Sequence, residues 1–228
     1  MATYVSLANE VLRRLNEVQI DSAGDGFDTV RNVQALAKDA INSSIRRILQ
    51  DGQEWPFIKT TSVQTLTAGV TTYSFPSDYS STDWDTFYIK QLAAKGNTPA
   101  VLKPMPYEEY TQSHRSSDDI APATGLGAPT SVFQTYDNTF GVTPVPDAGY
   151  EVEFIYWTVP NSLTLFNDVS IIPDRFSHVV IDGAMMYMMQ FRSNAQSAQM
   201  HQAAFEDGIK AMRNVLMDDT FTMRSTYR

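Results

Sequence analysis

Tyr150-Glu151-Val152-Glu153-Phe154-Ile155-Tyr156-Trp157-Thr158-Val159 is the stretch on which the fold turns. Val152, Phe154 and Tyr156 fall on one side of an extended chain; Glu151, Glu153, Ile155 and Trp157 fall on the other. That period of two belongs to a strand and not to a helix. Bulky apolar groups occupy both faces toward its end, which predicts a strand central in its sheet.

Working back from it, short β-like runs are punctuated by Gly and Pro from residue 55 onward. Ser62 to Thr67 and Val70 to Phe75, joined by Ala68-Gly69, read as a hairpin. Residues 84–92, 100–103, 131–135 and 139–142 read as further strands. The stretch from His114 through Pro129, within 113–129, is rich in Ser, Asp, Gly and Pro and reads as a long loop.

Beyond this region, on both sides, the period becomes helical. Tyr4, Ala8, Val11, Leu15 and Val18 share one face of a helix over 4–19, with Thr3 or Ser6 as its cap. The cluster Asp21-Ser22-Ala23-Gly24-Asp25-Gly26 reads as a turn. A second helix over about 29–50 carries Val33, Ala37, Ile41, Ile45 and Ile48, with Asp28 or Thr29 as cap and Asp51-Gly52 as stop. Its Arg46-Arg47 pair reads as ordinary helix surface or as a contact to an acidic partner. Trp55-Pro56-Phe57 breaks that helix. Downstream, Pro173 opens a helix whose stripe is Phe176, Val180, Gly183, Tyr187 and Phe191. Val179, Met185, Met186, Met188 and Met189 cover much of the remainder. A helix apolar nearly all round is buried on several sides, which calls for cover from a neighbouring subunit or from the rest of the bundle. After Ser193-Asn194, a last helix over about 195–217 uses Ala198, His201, Phe205, Ile209, Met212 and Leu216. Residues 218–228 lack a helical stripe and read as an extended arm.

This order predicts an α+β fold. N- and C-terminal helices form one bundle, with an inserted antiparallel β-rich region of sandwich or barrel type and an extended C-terminal arm. The predicted parts are an N-terminal helical hairpin (1–54), a β-rich acidic region (55–172), a C-terminal helical hairpin packing with 1–54 (173–217), and the arm (218–228).

The 228 residues carry 17 Lys+Arg against 26 Asp+Glu and no Cys. A chain of this size buries roughly 70% of its unfolded surface. Without Cys there is no disulfide, no thiolate metal site and no thiol chemistry. The net charge of −9 opposes general affinity for DNA or anionic membrane. All of it sits in residues 51–175, which hold six bases and fifteen acids; 1–50 and 176–228 are balanced. No leader or spanning segment is visible, which predicts a soluble protein made in a cytoplasm.

Chemistry-bearing motifs are sparse. Asp174, His178 and Asp182 fall at i, i+4, i+8 of one helix, a spacing that suits a base or half a metal site and more commonly a hydrogen-bonded core pair. No Gly-rich phosphate loop and no Gly-x-Ser-x-Gly elbow occurs. Asp83 with Asp85, and Glu151 with Glu153, would each share a strand face. Beside Trp84 and Trp157 they would suit glycoside chemistry, although acid pairs on solvated strands are common. No catalytic residue, metal or cofactor is predicted. In the arm, Phe221, Met223, Arg224, Tyr227 and Arg228 could stack and pair on another macromolecule.

Several segments in this order carry a family resemblance: Leu7-Ala8-Asn9-Glu10-Val11-Leu12-Arg13-Arg14-Leu15-Asn16-Glu17, Ala40-Ile41-Asn42-Ser43-Ser44-Ile45, Trp55-Pro56-Phe57, Gly69 with Tyr73-Ser74-Phe75-Pro76-Ser77-Asp78, Tyr150 to Trp157, and Ile172-Pro173-Asp174-Arg175-Phe176. Across essentially the whole chain their order resembles the head-to-tail adaptors of short-tailed double-stranded-DNA bacteriophages, also called tail tubular protein A or neck proteins. The resemblance implies a non-enzymatic virion protein of the neck. It would form a homo-oligomeric ring of about twelve copies between the portal protein and the tail nozzle protein, with tail fibres as a further partner. DNA would pass through the lumen without specific binding. On this reading Phe176, Val180, Met185, Met186 and Met189 pack subunits together, and the arm reaches the portal. Asp83, Asp85, Glu151 and Glu153 form an acidic surface facing DNA or solvent. The alternatives are another tail, nozzle or fibre-adaptor protein, or a carbohydrate-binding or glycan-cleaving domain.

Overall fold

The computed structural model describes residues 2–20, 27, 30–51, 54–90, 99–119 and 126–224, with side chains through Met217. The chain divides into two compact units. One comprises residues 1–58 and 160–228, and the other Lys59–Val159.

The first unit is helical. In α1 (Tyr4–Arg14), Thr3 caps the start by accepting the Ser6 N–H at 3.3 Å. The helix stops short of the predicted residue 19. Asn16 adopts φ 55°, a left-handed conformation that Asn tolerates better than most residues. There its N–H reaches the Arg13 carbonyl and the Glu17 N–H reaches that of Leu12, closing the helix end as a Schellman motif. Val18 therefore leaves the stripe and is exposed, while Tyr4, Ala8, Val11 and Leu15 are buried. Helix α2 (Val33–Leu49) buries Ala37, Ala40, Ile41, Ser44, Ile45 and Ile48. The expected caps Asp28 and Thr29, the turn 21–26 and Gly52 lie outside the described residues. Trp55 is fully buried; its indole N–H donates to the Ile48 carbonyl at 3.0 Å and its ring stacks on Phe57.

After a 3-10 turn at Asp174–Phe176 comes α5 (Ser177–Phe191), and then α6 (Ala195–Arg224). Helix α5 packs against α1, α2 and α6 of its own chain. Much of its apolar surface is thus covered from within, with Phe176, Val180, Met185 and Met186 buried, while Tyr187 and Met189 are half-buried and Phe191 is exposed. Gly183 sits at the closest approach: a Cβ there would overlap the Ser44 hydroxyl and lie 2.7 Å from the Phe205 ring. At Gly208 a Cβ would lie 2.8 Å from Val179. Across the first contact, the buried Ser44 hydroxyl donates to the Val180 carbonyl at 2.9 Å.

Helix α6 also corrects the reading of the tail. Residues 218–224 are helical rather than an extended arm, since neither Gly nor Pro follows Gly208 to interrupt the backbone. Tyr227 and Arg228 lie outside the described residues.

Residues 160–172, expected in the β-rich region, belong to the helical unit. Asn42 donates to the Leu163 carbonyl and accepts its N–H, at 2.9 and 3.0 Å. The Asp168 carboxylate accepts the N–H groups of Thr164 and Leu165 at 2.6 and 2.7 Å, while its own carbonyl receives the Tyr4 N–H. The same segment thus supplies an acceptor to the start of α1.

The second unit holds two sheets. In one, β9 (Glu151–Thr158) is central: β1 (Lys59–Thr65) pairs along one edge, and β3 (Tyr79–Thr82) and β4 (Tyr88–Ile89) pair elsewhere along it. Strand β5 (Ala100–Val101) continues beyond β4. The other sheet runs β2 (Thr72–Ser74), β8 (Thr139–Thr143), β7 (Ser131–Gln134), β6 (Lys103–Met105). All pairs are antiparallel except β6 with β7. Both sheets contribute to one aromatic core, where Phe87 stacks on Phe154 with centroids 4.8 Å apart and Phe140 packs on Phe75 at 5.1 Å.

Two expected pairings are redistributed by this core. The 62–75 segment keeps its turn at Gly69 (φ 79°), but its arms join different sheets. Leu66, Tyr73 and Phe75 are all buried in the shared cluster, so the chain crosses from one layer to the other. Leu102 does the same between β5 and β6, donating its N–H to the Phe87 carbonyl at 2.8 Å. Residues 84–92 begin as a 3-10 turn, Trp84–Thr86, rather than a strand. The expected loop at 113–129 is partly helical: α3 (Tyr107–Ser113) leads into α4 (Arg115–Asp119), and Tyr110 stacks on Phe133 at 3.8 Å.

Gly183→Ala is expected to lower unfolding free energy by about 1–3 kcal/mol, the usual cost of forcing a methyl group into a packed core. Chemical denaturation measures it. For Asp168, its hydrogen bonds from the Thr164 and Leu165 backbone hold its carboxyl below the ordinary 3.8. A carboxyl depressed on folding contributes stability above its unfolded value and loses it as pH falls through the folded one. The stability gap between wild type and Asp168→Ala is therefore expected to be full near neutral pH and to close as pH drops below 3.8. Denaturation midpoints across pH 2–7 measure that gap.

Candidate interaction surfaces

The acid pairs on the β-rich unit do not form an isolated carboxylate dyad. Asp83 precedes the 3-10 turn and Asp85 lies within it, so they do not share a strand face. Lys59 stands 4.0 Å from Asp83 and also over the Trp157 ring at 4.9 Å. Glu151 and Glu153 do lie on one face of β9, opposite the buried Val152, Phe154 and Tyr156. Glu153 pairs with Lys90 at 2.5 Å. Asp85 is exposed and Glu151 half-buried. Two of the four carboxylates thus have a lysine partner, and the face is mixed in charge.

The Asp174, His178 and Asp182 series does not assemble either. His178 is exposed, while Asp182 turns to Arg14 at 3.2 Å and to His201 at 3.7 Å. Among the described residues no group of three or more His, Asp or Glu could hold a metal ion.

Of the residues expected to pack subunits, Met189 remains half-buried while Phe176, Val180, Met185 and Met186 lie inside the helical unit. In the tail, Phe221, Met223 and Arg224 fall on α6, but their side chains lie outside the described residues.

Two concavities were not read from the sequence, because each is built from distant segments. In the β-rich unit, Trp84, Tyr107 and Tyr136 border a cavity of about 610 Å³. In the helical unit, α2, α5 and α6 enclose one of about 380 Å³ with Met186, Phe205 and Ile209 along it and Arg47, Lys210 and Arg213 at its polar side. The Arg46-Arg47 pair was its one sequence signal. In the β-rich unit the Tyr150 hydroxyl donates to Asp147 at 2.6 Å, and that bond with burial pushes its pKa up to about 12.

The SU10 adaptor protein family model matches residues 2–226. The chain belongs to the SU10 adaptor protein family. The match takes in the helical and β-rich units alike. No curated protein matches the chain. Membership makes the adaptor a structural phage protein of the virion, one that contacts other virion proteins, from a family that is not enzymatic. Among the described residues no helix is long and apolar enough to cross a membrane.

Replacing Asp83, Asp85, Glu151 and Glu153 together by their amides is expected to leave the adaptor folded. Exposed ion pairs such as Lys59–Asp83 and Lys90–Glu153 contribute about 0.2–1 kcal/mol each. Urea denaturation measures the change, and glycan hydrolysis by the wild type is expected to be absent.

Proposed function

We propose that the adaptor assembles as a ring of about twelve copies that joins the portal to the tail nozzle and lets DNA pass through its lumen. The family match over residues 2–226 carries this reading. The charge distribution supports it: residues 51–175 hold fifteen acids and six bases. An acidic lumen wall repels phosphate within a Debye length, about 8 Å at physiological salt, so DNA slides past without adhering. Asp83, Asp85, Glu151 and Glu153 are proposed to belong to that wall or to the solvent face. Met189, at the half-buried edge of α5, is the residue of its set best placed to meet a neighbouring subunit.

Portal docking is assigned to residues 218–228, with Phe221, Met223, Arg224, Tyr227 and Arg228 as contacts. Because the backbone is helical to Arg224, the docking element is a helical extension of α6 rather than a strand-like arm. The tail fibres would attach on the outer surface of the ring.

The test is docking to purified portal, read by co-sedimentation. Deleting residues 218–228 is expected to leave the melting curve of the subunit unchanged and to weaken portal binding at least about tenfold, the size of effect expected from losing interface anchors. Undiminished docking would place the portal contact elsewhere on the chain.

A further inference from the structure

Arg47 closes the last turn of α2, is exposed, and makes no ion pair among the described residues. It borders the cavity of about 380 Å³ between α2, α5 and α6, in which Met186, Phe205 and Ile209 are buried apolar lining. Lys210 and Arg213 add two further cations, against the carboxylates of Asp51 and Glu206. Asp51 is already engaged by Arg213 and Glu206 accepts from Gln202 at 2.9 Å. Lys210 leans on Asp207 at 3.0 Å. The buried Nε of Arg213 has no acceptor, and a buried donor left unpaired is costly. Arg47 is thus the one cation at the groove without an ion pair among the described residues, and it stands beside an apolar floor.

The chain itself carries the complement. Residues 59–159 hold five Lys and Arg against eleven Asp and Glu. Within them Glu108 and Glu109 stand side by side in the first turn of α3, both exposed and without an ion pair among the described residues. We propose that this groove is the docking site for the acidic β-rich unit of a second copy, with its Glu108-Glu109 carboxylates meeting Arg47. The contact joins two different patches of the same chain, the heterologous geometry that builds a ring when its rotation closes, and not a two-fold dimer. The proposal rests on the ring reading and names the surfaces that build it.

The test uses the full chain, with mass measured by sedimentation at physiological and high salt and with portal present as template. Arg47→Glu is expected to weaken self-association at least about tenfold with an unchanged melting curve, as for a charge pair at an interface. Adding Glu108→Lys and Glu109→Lys to that variant is expected to restore most of the association. Wild-type assembly is expected to weaken with salt, since the contact is electrostatic. Assembly of Arg47→Glu at wild-type strength overturns the proposal, as does failure of the folded triple variant to regain association. Loss of portal binding with self-association intact assigns the groove to the portal and equally overturns it. A wild-type chain that stays monomeric with its portal overturns the ring reading, and the groove assignment with it.

Discussion

The close approach of α2 and α6 to α5 at Gly183 is the constraint on which the helical unit depends. Only a residue without a side chain lets the Ser44 hydroxyl and the Phe205 ring reach that point together. Ser44 then spends its hydroxyl on the Val180 carbonyl, so the crossing is both tight and polar-satisfied. With α5 clamped there, α1 covers a further side and Gly208 allows α6 to approach Val179. The chain's first and last helices thus form one body although about a hundred residues of β-rich structure separate them. Residues 160–170 return to the start of α1, where Asp168 and Ser170 make backbone hydrogen bonds to Tyr4 and Ala2.

Much of this was legible in the sequence because burial imposes periodicity. The alternation of Val152, Phe154 and Tyr156 identified the central strand, and the stripe of Ala37, Ile41, Ile45 and Ile48 identified α2. What periodicity could not reveal was partnership. Leu66 and Leu102 look like ordinary strand residues, yet each marks the point where the chain leaves one sheet for the other. The stop of α1 depends on the left-handed conformation of a single Asn, where the apolar pattern runs on to Val18. The nearly all-round apolar surface of α5 signalled burial on several sides, and three helices of the same chain supply much of it while Phe191 stays exposed. The reading of 218–224 failed for the converse reason: a segment without an apolar stripe remains helical when a long helix precedes it and no breaker intervenes.

The candidate surfaces were less legible than the fold. Counting charges showed that acids concentrate in the middle of the chain, but not that Lys59 and Lys90 pair with two of them. The basic groove draws Arg47 from α2, Met186 from α5 and Arg213 from α6, residues up to 166 positions apart in numbering, so no local motif announces it. Such dispersed, charge-complementary patches over apolar floors suit a protein whose work is to be held by neighbours, and they fit the family to which the chain belongs.

The direct measurement is an electron-microscopy image of the purified adaptor mixed with its portal. A ring of adaptor subunits stacked coaxially on the portal, with an open central channel wide enough for duplex DNA, is the predicted result. Isolated adaptor monomers beside bare portals, or adaptor density that closes the channel, would contradict it.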